Sequence, residues 1–94
     1  MSKEKFENWD EFEEKLDINP EQEAEIQLEM DIIKATIEAR KNANLSQQEL
    51  SELSGVKQPN IAKLENYSRT PQITTLIKLL YPMGYTLKVV PIEK

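Results

Sequence analysis

Residues 45–65 read LSQQELSELSGVKQPNIAKLE, and the fold turns on how this stretch is read. Ser46 followed three residues later by Glu49 is a capping-box pattern, in which each side chain satisfies a backbone N–H at a helix start. Leu50 and Leu53 sit one turn apart and are expected to point inward, with the small Ser51 where two helices approach closely. Gly55 tolerates positive φ and is expected to end the helix. After a turn of three or four residues a second helix opens around Gln58, with Pro59 in its first turn, where a missing N–H costs little. Ile61 and Leu64 are its inward residues. The stretch therefore encodes two short helices joined by a tight, glycine-containing turn.

On the N-terminal side, Asn19-Pro20-Glu21-Gln22 is a second capped start with proline at the first helical position. It predicts a helix from Pro20 to about Asn42, followed by a junction at Ala43-Asn44. This helix carries two apolar stripes. Ile26, Met30, Ile33 and Ile37 lie within a narrow arc. Leu28, Ile32, Ala35 and Ala39 lie nearly opposite, because an offset of two residues is about 200° on a helix. One stripe must meet the chain's own core. The other needs a different cover, either a helix of this chain folding back or another protein. Further upstream, Asn8-Trp9-Asp10-Glu11 reads as another helix start. Trp9, Phe12 and Leu16 share one face, acids fill the rest, and Asp17–Pro20 is a break.

On the C-terminal side, Asn66–Pro71 is a loop. The next helix runs from about Gln72 to Tyr81, with Ile73, Leu76, Ile77 and Leu80 inside. Pro82 stops or kinks it and Gly84 ends it. Tyr85, Leu87 and Val89 then alternate with Thr86, Lys88 and Val90, a strand pattern. A lone strand has unpaired backbone on both edges. Its simplest partner is the same strand in a second copy across a two-fold axis. Tyr85, Leu87 and Val89 are therefore the candidate dimerisation residues.

Ninety-four residues suffice for one domain with a modest core, so a partner or a second copy would add useful buried surface. The chain has no cysteine and no histidine, which removes thiolate nucleophiles, disulfides, the usual zinc and haem ligand sets and a histidine general base. No apolar run approaches the roughly 20 residues that span a bilayer, and the charged first residues lack a signal-peptide core, so a cytoplasmic protein is expected. The net charge of −5 conceals an asymmetry. Residues 1–31 hold twelve acids and three lysines, net −9, whereas residues 32–94 hold nine bases and five acids, net +4. A basic domain with an acidic arm points to two partners of opposite charge.

Lys57-Gln58-Pro59-Asn60, with Lys63 one turn on, puts long polar donors at the exposed N-terminal end of the second helix of the pair. In a helix-turn-helix that end meets base edges in the major groove. Amides pair bidentately with adenine and lysine reaches guanine. Over about Ile33–Gly84 the sequence resembles the Xre/Cro-type helix-turn-helix family, the lambda- and 434-repressor-like domains. The matching residues are Leu45-Ser46-Gln47, Glu49-Leu50, Gly55-Val56, Gln58, Ile61, Glu65, Pro71 and Leu76. The resemblance implies base contacts from Gln58, Pro59, Asn60 and Lys63. It implies phosphate contacts from Gln47, Lys57, Asn66 and Arg69, and a structural Glu65 at the end of the recognition helix. Two positions depart from the family. Tyr67 stands where a glycine is usual, so either Asn66 takes the left-handed conformation or the loop has another shape. Pro82 replaces a residue that is usually helical.

The arm-plus-domain arrangement is similar to HigA-type antitoxins of bacterial toxin–antitoxin pairs, and the tail GYTLKVVP adds to the likeness. That resemblance implies a small basic RelE-like ribonuclease toxin as partner, operator DNA as ligand, a homodimer and a toxin–antitoxin heterotetramer. An acidic helix suits the positive cleft that a ribonuclease needs for RNA. Trp9, Phe12, Leu16, Leu28 and Ile32 would be the anchors in a groove, with charge selecting the partner. The expected architecture is all-α: a lambda-repressor-like helix-turn-helix bundle with an N-terminal helical arm and a short C-terminal β-strand. Its expected parts are the arm at 1–31, the DNA-binding domain at 32–84 and the pairing strand at 85–94. The competing readings are a stand-alone, phage-type repressor without a toxin partner and an interaction module that has lost DNA binding. An enzyme is not expected, since the carboxylates lie on exposed helix faces beside no histidine, phosphate loop or metal spacing. No cofactor and no metal are expected.

Overall fold

The structure, a computed structural model, describes residues 19–92. The helix expected around Trp9, Phe12 and Leu16 lies outside them. Four helices follow one another: α1 Pro20–Asn42, α2 Gln47–Ser54, α3 Gln58–Glu65 and α4 Ile73–Leu80, which runs on into a 3-10 turn at Tyr81–Met83. α1 packs on α3 and α4, and α2 packs on α3, α4 and the 3-10 turn. Among the described residues no helix is long and apolar enough to cross a membrane.

The helix starts are written locally. The Asn19 side chain accepts the Gln22 N–H at 2.8 Å and the Gln22 side chain accepts the Asn19 N–H at 3.2 Å. Ser46 and Glu49 reciprocate in the same way at 3.0 and 2.8 Å. Glu21 and Glu23 in the first turn of α1, with Arg40 and Lys41 in its last, complement the helix dipole. Gly55 closes α2 at φ +78, as the sequence predicts. A Cβ there would meet nothing within 4 Å, so only backbone conformation opposes a side chain. Gly55→Ala is therefore expected to cost roughly 1–2 kcal/mol. That lowers the melting temperature by about 5–10 °C in a domain of this size, as thermal unfolding by circular dichroism would record.

Helix ends use a common backbone device. At Asn44, Tyr67 and Gly84 the chain turns left-handed, with φ of 59, 64 and 86. Each of the three N–H groups reaches back three residues, and the N–H after it reaches back five. These paired bonds satisfy the last helical carbonyls. The residue where the family has glycine, Tyr67, thus takes the left-handed conformation itself, while Asn66 stays at φ −96.

The core consists of Ile33 and Ala39 from α1, Leu50 from α2, Ile61 and Leu64 from α3, and Leu76, Leu79 and Leu80 from α4. Several expected core residues lie elsewhere. Leu53 is 58% exposed, because α2 turns Leu50 to the core with half-buried Gln47, Ser51 and Ser54 beside it. Ile73 and Ile77 are exposed and Leu79 is fully buried. The apolar residues of α4 spread over a broad arc opposite Thr74, Thr75 and Lys78, so its pattern accommodates more than one inward direction. The structure selects the one formed by Leu76, Leu79 and Leu80, continued by Met83 in the 3-10 turn at Pro82.

In α1 neither stripe alone faces inward. The core face is centred between them on Thr36, whose hydroxyl donates to the Ile32 carbonyl at 2.8 Å and so remains satisfied when buried. Ile33 and Ile37 come from one stripe, Ile32 and Ala39 from the other. None of these four lies in the first half of the helix, residues 20–31, where no residue is buried. The expected boundary at 31/32 falls inside this single helix.

The C-terminal strand is not shown among the described residues. Residues 85–92 hold no regular secondary structure, and no strand occurs among the described residues. A strand exists only through hydrogen bonds to a neighbour, and a single chain offers this segment none. Tyr85, Leu87 and Val89 are exposed, Val89 completely.

Candidate nucleic-acid interface

α2 and α3 meet through the turn Gly55-Val56-Lys57, which brings the start of α3 to the surface. Lys57 is its N-cap residue and gives no side-chain cap. Lys57, Pro59, Asn60 and Lys63 are exposed, and Gln58 is half-buried. Inward, Ile61 and Leu64 fasten the helix to the core. The residues expected to read bases thus lie in the first two turns of α3, with Pro59, Asn60 and Lys63 on one exposed side and Gln58 turned partly inward.

Behind Gln58 runs a chain of side-chain hydrogen bonds. Arg40 grips Glu65 with two parallel bonds, from Nε at 2.7 Å and from a terminal guanidinium nitrogen at 2.9 Å. Its other terminal nitrogen donates to the Leu45 carbonyl at 2.7 Å, tying in the α1–α2 junction. Glu65 Oε1 also accepts the Gln47 amide at 2.9 Å, and Gln47 Oε1 accepts the Gln58 amide at 2.9 Å. The Arg40 and Glu65 side chains are only 13% and 9% exposed. The hydrogen bond to Glu65, aided by its negative charge and opposed by burial, raises the Arg40 pKa, so the guanidinium stays cationic throughout the ordinary pH range.

This chain sets directions as well as distances. A carboxylate only accepts, so Gln47 must turn its nitrogen toward Glu65 and its oxygen toward Gln58. Gln58 must then turn its nitrogen toward Gln47. Its own oxygen and second amide hydrogen are left free. Those are the acceptor and donor that a bidentate contact with adenine requires.

The expected phosphate-contacting residues lie at both ends of α3, Gln47 and Lys57 by its start and Asn66 and Arg69 past its end. Gln47 is engaged internally through one amide hydrogen and its oxygen, which leaves the second amide hydrogen for a phosphate. Asn66 accepts the Ser68 N–H at 3.0 Å and the Ser68 hydroxyl, so only its amide NH2 points outward as a donor. Arg69 is exposed in the α3–α4 loop, on the rim of a hollow shared with Asn60, Gln72 and Thr75. Of the expected partner-binding residues, Leu28 is 59% exposed, whereas Ile32 is packed against the core. Trp9, Phe12 and Leu16 lie outside the described residues. Sequence reading had missed Arg40. Its partner stands 25 residues away, and its position in the last turn of α1 suits a dipole-complementing base equally well.

Comparison with known proteins agrees with this geometry. A helix-turn-helix family model matches residues 37–89, more than half of the chain. The chain belongs to the Xre-type helix-turn-helix family. This helix-turn-helix regulator is 46% identical over 86 residues to a Haemophilus influenzae protein described as an HTH-type transcriptional regulator. That alignment covers 92% of this chain and 87% of the relative, so it takes in most of the segment before the matched domain as well. Among solved structures, a chain of a toxin–antitoxin module from Streptococcus pneumoniae matches with a TM-score of 0.67 and 38% identity. It covers 94% of this chain and 97% of that one. The regulator's family acts by binding DNA and is typically non-enzymatic.

Proposed function

We propose that this regulator is the antitoxin of a toxin–antitoxin pair. In this reading α3 binds operator DNA sequence-specifically, two copies occupy the halves of a palindrome, and the acidic N-terminal region neutralises a small basic RelE-like ribonuclease. The observation that carries the reading is the likeness to the Streptococcus pneumoniae toxin–antitoxin chain. It extends over nearly the whole of both chains and so beyond the DNA-binding domain. The charge supports it, since residues 1–31 carry net −9 and a ribonuclease needs a positive cleft to hold RNA.

The parts divide accordingly. Residues 1–31 bind the partner through Trp9, Phe12, Leu16 and apolar residues of the first half of α1. Residues 32–84 bind DNA: Gln58, Pro59, Asn60 and Lys63 read bases, and Gln47, Lys57, Asn66 and Arg69 hold phosphates. Residues 85–94 pair two copies through Tyr85, Leu87 and Val89, giving a dimer that assembles with toxin into a heterotetramer.

The test is co-expression with any small basic protein encoded next to this chain's gene. Growth arrest by that protein alone, relief by this chain and a stoichiometric complex surviving a high-salt wash support the antitoxin. A clean homodimer that carries only DNA supports a stand-alone repressor. Within the antitoxin reading, deleting residues 1–18 while keeping the Asn19 cap is expected to leave operator binding intact. Loss of the aromatic anchors costs at least about 2 kcal/mol, roughly 30-fold in partner affinity. Titration calorimetry beside an operator gel shift measures both; an equal loss in the two assays would make the arm part of the DNA-binding fold.

A further inference from the structure

α1 leaves its first half standing beside the loop that follows the recognition helix. Between them is a hollow of about 350 Å3, walled by Ile26, Glu29, Met30 and Ile33 on one side and Tyr67–Thr70 on the other. Ile26, Met30 and Tyr67 are each close to half exposed, so all three retain apolar surface to bury. On the opposite side of α1, Leu28 stands out from the surface, and Ile32 below it is already packed against the core.

We propose that this hollow receives an apolar side chain of a basic protein partner, so that Ile26 and Met30, rather than Leu28 and Ile32, grip it. The partner's identity as the toxin rests on the antitoxin reading. The choice of occupant comes from charge. Residues 20–31 carry Glu21, Glu23, Glu25, Glu29 and Asp31 and no base. A second copy docked here about a two-fold axis would bring the same five acids against them. The chain's own residues 1–18 carry seven acids and three lysines, net −4. Like charges oppose both of those occupants, whereas the acids of α1 favour a basic surface. An anchor seated here also lies beside Arg69, which places the partner next to the loop assigned to the DNA backbone.

The chain contains no cysteine, so single thiols report cleanly. Met30→Cys and Leu28→Cys, made in the full chain, are modified with a thiol reagent in the presence and absence of any small basic protein encoded next to its gene. The partner is expected to slow modification at position 30 by at least about tenfold and at position 28 by less than about twofold, as the dry core and wet rim of an interface differ. Protection at 28 instead of 30 overturns the proposal. So does a thiol at 30 that is already unreactive in the free chain: independence of dilution would assign the hollow to residues 1–18, and dependence on concentration to a second copy. A stable complex in which position 30 stays reactive removes this inference alone. Absence of any complex removes the antitoxin reading and the inference with it.

Discussion

Alanine at both Gln58 and Asn60 is expected to erase most of the discrimination between operator and random DNA while leaving non-specific binding nearly unchanged. Each bidentate base contact is worth roughly 1–3 kcal/mol, so the pair supplies at least about 30-fold. Gln58 contributes through orientation as well as reach. Glu65 directs the Gln47 amide, Gln47 directs the Gln58 amide, and one acceptor and one donor of Gln58 are left unengaged. Non-specific affinity comes from phosphate neutralisation, which neither substitution touches. Lys57→Ala is the contrasting variant: it is expected to weaken binding to all sequences alike and to reduce the salt slope by about 1. Fluorescence anisotropy on operator and scrambled duplexes at several salt concentrations separates the two behaviours. An operator-to-scrambled ratio that survives the double substitution would show that α3 is not the reading element.

The second large effect concerns Arg40. Replacing it with methionine keeps the stem's packing and removes the guanidinium, which leaves the largely buried Glu65 without its two charged hydrogen bonds. Breaking one side of such a pair costs about 3–5 kcal/mol, because the remaining charge is uncompensated. A domain of this size has roughly 5–10 kcal/mol in total, so Arg40→Met is expected to remove a large part of it. Urea titration should show a lower midpoint with an unchanged slope. Adding Glu65→Leu should restore part of the stability, since an apolar pair replaces a buried ion pair at little cost. It should not restore operator discrimination, because nothing then directs Gln47 and Gln58. If Arg40→Met shifts stability by less than about 0.5 kcal/mol, the pair behaves as a surface ion pair and the orienting chain is not held as described.

The elements legible in the sequence were those whose causes are local. Asn19 with Gln22 and Ser46 with Glu49 are three residues apart, and each box forms from its own turn of chain. Gly55 and Gly84 end helices because they accept positive φ where they stand. The polar end of α3 was legible too, since a turn followed by donors on one exposed helix end needs no distant residue. The recognition of the family rested on the same short-range pattern.

What the sequence left open depended on direction. Helical periodicity places residues around an axis, but it does not say where the core lies when the apolar arc is wider than one contact face or is split in two. That is why Ile73 and Ile77 lie outside and Leu79 inside, and why α1 faces inward through Thr36, between its two stripes. Nor does it state which of two neighbours absorbs a strained turn, and Tyr67 rather than Asn66 takes the left-handed conformation.

From the sequence by itself came the helix starts and stops, the helix-turn-helix and the opposed charges of arm and domain, all set by residues within a few positions of one another. Only the tertiary structure decided which faces are buried. It alone brought Arg40 to Glu65 across 25 residues to orient Gln58, and it alone opened a hollow beside Met30. Such pairings come from the packing of whole helices, and no local spacing records how two helices meet.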